Sequence, residues 1–150
     1  RPDDRWGRCD IKSTGLLPNV LAKQAAFAQG AGEAWFVDAD GLITEGASSN
    51  AWIVTKQGVL TTRALSANIL PGVTRAALVD IAAAMGLALE ERAFSYGEAL
   101  VAREAFTTSA MALVMPIIAI DANAIGDGRP GAVAKSLRAA YRRAAHEGRL

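Results

Sequence analysis

Arg8-Cys9-Asp10-Ile11-Lys12-Ser13 places a lysine at the end of a short apolar run, just ahead of the turn-like Ser13-Thr14-Gly15. Trp6 to Lys12 reads as a strand, and a lysine at its end can reach out of a sheet into a cleft. An amine desolvated there becomes a nucleophile toward a carbonyl. A strand-end lysine exposed to water fits the same six residues and, on them alone, is the simpler reading. The remaining lysines offer less. Lys23 and Lys56 stand in polar surroundings, and Lys135 falls on a solvated helix face.

Working outward, Leu16 to Gln29 predicts a helix with Leu17, Val20, Leu21 and Phe27 near one face and Gly30 as its stop. Ala34 to Val37 and Leu42 to Glu45 predict strands joined across Asp40-Gly41, a hairpin signal. Ala51 to Thr55 and Val59 to Thr62 form a second hairpin across Lys56-Gln57-Gly58. Val73 to Met85 is the clearest helix, with Val73, Ala77, Ile81 and Met85 repeating every four residues and Gly86 ending it. Leu87 to Arg92 predicts a strand, and Ser95-Tyr96-Gly97-Glu98 is a capping box opening a short helix. Ala105 to Ser109 and Val114 to Ile120 predict two more strands, the second placed near an edge or bulge by Pro116. After the glycine-rich loop at 126–131 a last helix runs to about His146, with Arg138 and Arg142 on a solvated face. Strands and helices mix without strict alternation, so the fold class is α/β with a mixed sheet.

The 150 residues, 51% hydrophobic with a net charge of +1, describe one globular domain, or most of one. That balance gives no case for nucleic acid. No apolar run is long enough to span a bilayer as a helix, and no signal peptide is evident. The single Cys9 excludes an internal disulfide framework and fits a reducing, cytoplasmic compartment. No grouping of Cys, His and acidic residues suggests a metal site. A chain opening on Arg1-Pro2-Asp3-Asp4 without methionine is expected to be a piece of something longer.

Two further stretches carry chemistry. In Thr44-Glu45-Gly46-Ala47-Ser48-Ser49-Asn50 a carboxylate ends a strand and is followed by two hydroxyls and an amide, which suits a rigid polar pocket wall. A hydrophilic connection with Glu45 in water fits equally well. In Leu70-Pro71-Gly72-Val73-Thr74-Arg75 a glycine lets the backbone approach closely and a helix begins at once. The free N–H groups of its first turn and the Thr74 hydroxyl can hold a phosphate. An ordinary helix entry capped by Thr74 is the plain alternative. Together the three stretches supply an amine for an aldehyde, a carboxylate for a ring nitrogen and a helix N-terminus for a phosphate. Those are the three handles of pyridoxal phosphate.

The order and wording of these stretches resemble the fold-type IV (class IV) aminotransferases, with the D-amino-acid transaminases the nearest branch. Asp10-Ile11-Lys12-Ser13 followed by Leu16 to Gln24 is similar to the family's Schiff-base segment. Thr44 to Asn50 and Leu70 to Arg75 match the next two signatures, and Phe106-Thr107-Thr108-Ser109 with Met115-Pro116 matches the fourth. The resemblance covers nearly the whole chain. It implies that Lys12 holds pyridoxal 5'-phosphate as an internal aldimine and that Glu45 pairs with the pyridine nitrogen. It further implies that Leu70 packs on a ring face and that Val73 and Thr74 bind the phosphate. Ser48, Ser49 and Asn50 would shape the wall, and Arg5 aligns with a family arginine near the site. Ser109 would stand at the phosphate, where Ala110 replaces a frequent threonine and removes one hydroxyl donor. The implied fold is a mixed-sheet pseudo-barrel with outer helices, and the implied assembly is a homodimer acting on an amino acid and a 2-oxo acid. The family's smaller N-terminal domain is expected to be absent from this chain. Aminodeoxychorismate lyases, branched-chain aminotransferases and amine transaminases share these cofactor residues and remain open, as does a non-catalytic domain retaining the fold.

Overall fold

The computed structural model describes residues 1–150. In chain order the elements are α1 (Leu17–Ala28), β1 (Trp35–Val37), β2 (Ile43–Gly46), β3 (Asn50–Val54), β4 (Leu60–Thr62), α2 (Val73–Ala84) and β5 (Leu89–Glu91). They continue with α3 (Tyr96–Leu100), β6 (Glu104–Ser109), β7 (Leu113–Ile117), β8 (Ala119–Ile120), β9 (Asn123–Ala124) and α4 (Ala132–His146). Five strands form a mixed sheet in the order β5-β4-β3-β6-β7, with only the β4–β5 pair parallel. The pairs β1–β2 and β8–β9 are separate antiparallel ribbons. The α/β class with a mixed sheet and outer helices is therefore as expected, but the sheets do not close into a barrel. Pro116, which lacks a ladder donor, sits on β7 at the sheet edge. No helix is long and apolar enough to cross a membrane.

The period of two along β3 builds both cores. Trp52 and Val54 face one side with Leu60, Leu78, Phe106 and Leu137, under α2 and α4. Ala51 and Ile53 face the other side with Ile43, Phe94 and Ala99, under α3. Trp52 is fully buried, stacks on Phe106 at 5.6 Å, and donates from Nε1 to Thr108 Oγ1 at 2.9 Å. Each turn matches its sequence signal where backbone geometry demands glycine. Gly41 and Gly58 carry φ of 77° and 85°, closing the two hairpins. The capping box of Ser95 and Glu98 is formed in both directions.

Three expectations need correction. Trp6 to Lys12 is not a strand. The Arg8 guanidinium folds back on Asp10 at 2.8 Å, and the Ile11 N–H turns onto the Arg8 carbonyl, so the segment is a series of bends. Leu17, Val20, Leu21 and Phe27 do not enter the core; all four are exposed, and α1 buries Ala22 instead. Asn19 and Lys23 make polar contacts beside Ala22, so the helix docks by its polar side. On α2 the buried face is Thr74, Arg75, Leu78 and Ala82, one residue around from the predicted stripe. The rotation follows Arg75, whose guanidinium lies over Trp52 and bonds Glu91 at 2.5 Å.

A buried carboxylate ties α4 to the sheet. Glu104 on β6 accepts from the Val133 and Ala134 N–H groups at 3.0 and 2.9 Å, filling the open donors of the helix start. A Cβ at Gly131 would overlap that carboxylate. Gly131→Ala is therefore expected to destabilise the protein by about 1–3 kcal/mol, the usual range for overpacking. Denaturant titration of the full-length protein measures it, and an unchanged midpoint would contradict this role for Glu104.

Candidate active site

One cavity of about 490 Å³ opens between the N-terminal bends, the β2–β3 connection, the start of α2 and the end of β6. Lys12, Glu45, Ser48, Ser49, Asn50, Leu70, Val73, Thr74, Ser109, Ala110 and Arg5 all line it. The structure thus brings every candidate residue to one place, although they are spread over more than a hundred positions of the chain.

Glu45 lies at the centre of a dense network. Its side chain is 7% exposed, so the reading of a solvated turn does not hold. Arg5 Nη1 donates to Glu45 Oε1 at 2.5 Å, Asn50 Nδ2 donates to Oε2 at 3.1 Å, and the Leu70 N–H reaches both oxygens. Arg5 is itself fixed by Asp3, Thr44 and the Asn68 carbonyl, and stacks over Phe36 at 4.5 Å. Burial pushes the Glu45 carboxyl up to about 6, against the opposing pull of Arg5 and of the Leu70 N–H. A raised carboxyl pKa means that the folded state binds the proton more tightly than the unfolded chain, which titrates near 4.5. The associated stability is fully present below that value and is lost as pH rises through about 6. Over that window the ligand-free protein is expected to lose at most about 2 kcal/mol on account of Glu45. Denaturation curves of the ligand-free protein and of Glu45→Gln at pH values on both sides of the window test this. Equal pH dependence in the two proteins would contradict it.

The start of α2, adjoining this network through Asn50 and Leu70, offers a place for an anion. Thr74 is 1% exposed, its hydroxyl has no hydrogen-bond partner, and it makes no cap for its own helix. First-turn N–H groups of α2 add donors beside it. Gly72 lets this turn sit against Asn50, whose side-chain oxygen occupies the space a Cβ would take. An unpaired buried hydroxyl is costly unless something satisfies it, and a phosphate oxygen is an acceptor of the right kind.

Lys12 lines the cavity but is exposed, in irregular backbone just after the bend at Ile11 rather than at a strand end. The expected desolvation of its amine is not supplied by this chain. The bend is held where the Cys9 N–H bonds the Ala67 carbonyl at 2.7 Å. Cys9 also lines the cavity, with its thiol on the Trp6 carbonyl, and burial pushes that thiol above its ordinary range.

Three residues that sequence reasoning did not single out support the serine wall. Glu33 Oε2 accepts from the hydroxyls of Ser48 and Ser49 at 2.8 and 2.9 Å. Lys23 Nζ donates to Ser48 Oγ at 2.6 Å, and Asn19 Nδ2 donates to the Ala47 carbonyl at 3.0 Å. Asn19 and Lys23 stand four residues apart, a polar stripe on an otherwise apolar helix, and that spacing was the available signal.

The sequence model of a family described as Amino-transferase class IV matches residues 1–120. A D-alanine aminotransferase of Bacillus licheniformis is 45% identical over 138 residues, 92% of this chain and 48% of that protein. The chain spans about half the length of the curated relatives it matches. Among solved structures, a branched-chain aminotransferase of the thermophilic archaeon Thermoproteus uzoniensis, with norvaline, superposes with TM-score 0.85 at 33% identity, covering 95% of this chain and 49% of that one. The branched-chain amino acid aminotransferase of Thermobaculum terrenum, in its PLP form, gives TM-score 0.87 at 32% identity, over 95% and 47% of the two chains.

Proposed function

Because the chain belongs to the class IV amino-transferase family, we propose that the protein containing it transfers an amino group between an amino acid and a 2-oxo acid, using pyridoxal 5'-phosphate. One observation carries the reading: a single cavity holds the Lys12 amine, the buried Glu45 carboxylate and the unpartnered Thr74 hydroxyl. Those residues fit the group. Thr74 and the N–H groups at the start of α2 would hold its phosphate, Glu45 its ring nitrogen, Leu70 a ring face and Lys12 its aldehyde carbon. Bound there, pyridoxal phosphate supplies a carbonyl that accepts the amino group and a ring that takes up an electron pair.

The chain's own residues do the rest. Glu45, anchored by Arg5, favours a proton on the ring nitrogen, because an opposite charge stabilises the ionised form. Lys12 would take the proton from the substrate Cα and return it on the other side of the transfer. Ser48 and Ser49, held by Glu33 and Lys23, fix the wall against which the reactants lie. The missing cover over Lys12 would come from outside these residues. We place the complementary small domain, which the family resemblance implies, in that position.

A D-amino acid such as D-alanine is the proposed donor, on the 45% identity to the D-alanine aminotransferase. The branched-chain enzymes among the solved neighbours, at 34% identity or less, favour a second reading with an L-branched donor. The full-length protein loaded with pyridoxal phosphate decides between them. Formation of the oxo acid from D-alanine but not L-leucine supports the first, the reverse supports the second, and neither would sink the proposed reaction. A homodimer is also proposed, supported by the exposed Leu17, Val20, Leu21 and Phe27 on α1. Sedimentation of the fully active protein as a monomer at micromolar concentration would contradict it.

A further inference from the structure

We propose that Arg138, on α4, is a positioning residue for the anion-binding end of the cavity. It would act through the β6–β7 turn to aim the Ser109 hydroxyl. The inference rests on the reading that the cavity takes pyridoxal phosphate. Arg138 lies outside the residues 1–120 matched by the family. Its place on a helix face that reads as solvated in the sequence is misleading, because it is half-buried.

The contacts form a relay. Arg138 Nη1 donates to the Ala112 carbonyl at 2.8 Å and also to the Val114 carbonyl. The Ala112 N–H in turn donates to Ser109 Oγ at 3.1 Å. With its oxygen engaged as an acceptor, the Ser109 hydroxyl has its hydrogen left to donate. Ser109 and Ala110 line the cavity. The turn needs an external hold, since Leu113 has φ of 58°, a left-handed conformation unfavourable for leucine. A guanidinium on two carbonyls is a charge-assisted hold of the stronger kind.

The same end of the cavity carries the anion site. Thr108, next to Ser109, pairs with Asn50 across β3 and β6, and the Asn50 side chain abuts Gly72 at the start of α2. Ser109 and the unpartnered Thr74 thus follow closely on residues that neighbour Asn50 and line the same cavity. Ala110 brings no hydroxyl to this end, so correct aim of the one at Ser109 matters more.

The test uses the full-length protein and two probes, pyridoxal 5'-phosphate and pyridoxal, with equilibrium binding as the readout. Arg138→Met is expected to weaken binding of the phosphorylated probe by about tenfold, equivalent to ~1.4 kcal/mol, and to leave pyridoxal binding unchanged. Ser109→Ala should give the same split, and the double variant should lose little more than either single one, because the two act as one unit. Arg138→Lys, which keeps charge and donors, should restore most of the preference. If Arg138→Met does not fold, Arg138→Gln is read the same way. Equal loss for both probes would reduce Arg138 to general support of the fold, and additive losses would deny the relay; either overturns the proposal. A wild-type protein without preference for the phosphorylated probe would overturn the cofactor reading itself, and the proposal with it. Preference retained in every Arg138 variant would overturn the proposal alone.

Discussion

Glu45→Gln in the full-length protein is expected to keep its cofactor and lose most of its turnover. The substitution preserves size and a hydrogen-bonding head but removes the charge that favours a protonated ring nitrogen. That proton matters when the substrate Cα loses its own, because the electron pair left behind must be taken up. Hydrogen bonds to charged groups contribute about 1.5–3 kcal/mol. Loss of one such interaction in the transition state corresponds to a rate reduction of roughly ten- to a hundredfold. The network around Glu45 sharpens the expectation. Arg5 keeps its bonds to Asp3, so the pocket wall survives the change. The measurement is a single-turnover rate with a good amino donor. An unchanged rate would leave Glu45 as a purely structural partner of Arg5 and Leu70.

Lys12→Ala is expected to have the larger effect, a loss of roughly 10²–10⁴-fold in turnover, the range for removing a positioned acid–base group. Compared in the cofactor-free state, its stability should barely move. Lys12 is exposed in this chain, in an irregular segment held through the backbone of Cys9, and surface substitutions of this kind usually fall within about 0.5 kcal/mol. The combination is diagnostic: a melting temperature like that of the wild type with turnover nearly abolished. Turnover above about a tenth of the wild-type rate would exclude Lys12 as the group that moves the Cα proton.

How far the sequence could be read differs between elements for physical reasons. Helix ends and hairpins were legible because glycine and capping residues act locally. Gly41 and Gly58 take positive φ, and Ser95 with Glu98 closes its own box. Buried faces were less legible, because packing rather than periodicity decides them. On α2 the burial of Arg75 against Trp52 and Glu91 turns the helix one residue from its apolar stripe. On α1 the polar contacts of Asn19 and Lys23 win over four apolar side chains. The Trp6–Lys12 segment failed as a strand because a local Arg8–Asp10 pair competes with extension.

The candidate site was legible where signatures stand in short stretches, and the three stretches do meet in one cavity. What supports them was not legible, because it reaches across the chain. Arg5 meets Glu45 across 40 residues, Glu33 meets Ser48 across 15, and Arg138 meets Ala112 across 26. No pattern in a window of a few residues encodes such pairs. They follow from the fold, which brings the N-terminal bends, the β2–β3 connection held by Glu33 and the β6–β7 turn held by Arg138 around one cavity.

The most direct test of the central claim is borohydride reduction of the full-length protein with pyridoxal phosphate bound, followed by peptide mapping. Covalent label is expected on Lys12. Lys23 is the sharpest competitor, since its amine reaches the cavity wall at Ser48. Label on Lys23, Lys56 or Lys135, or on no lysine of this chain, would contradict the assignment of Lys12 as the residue that holds the cofactor.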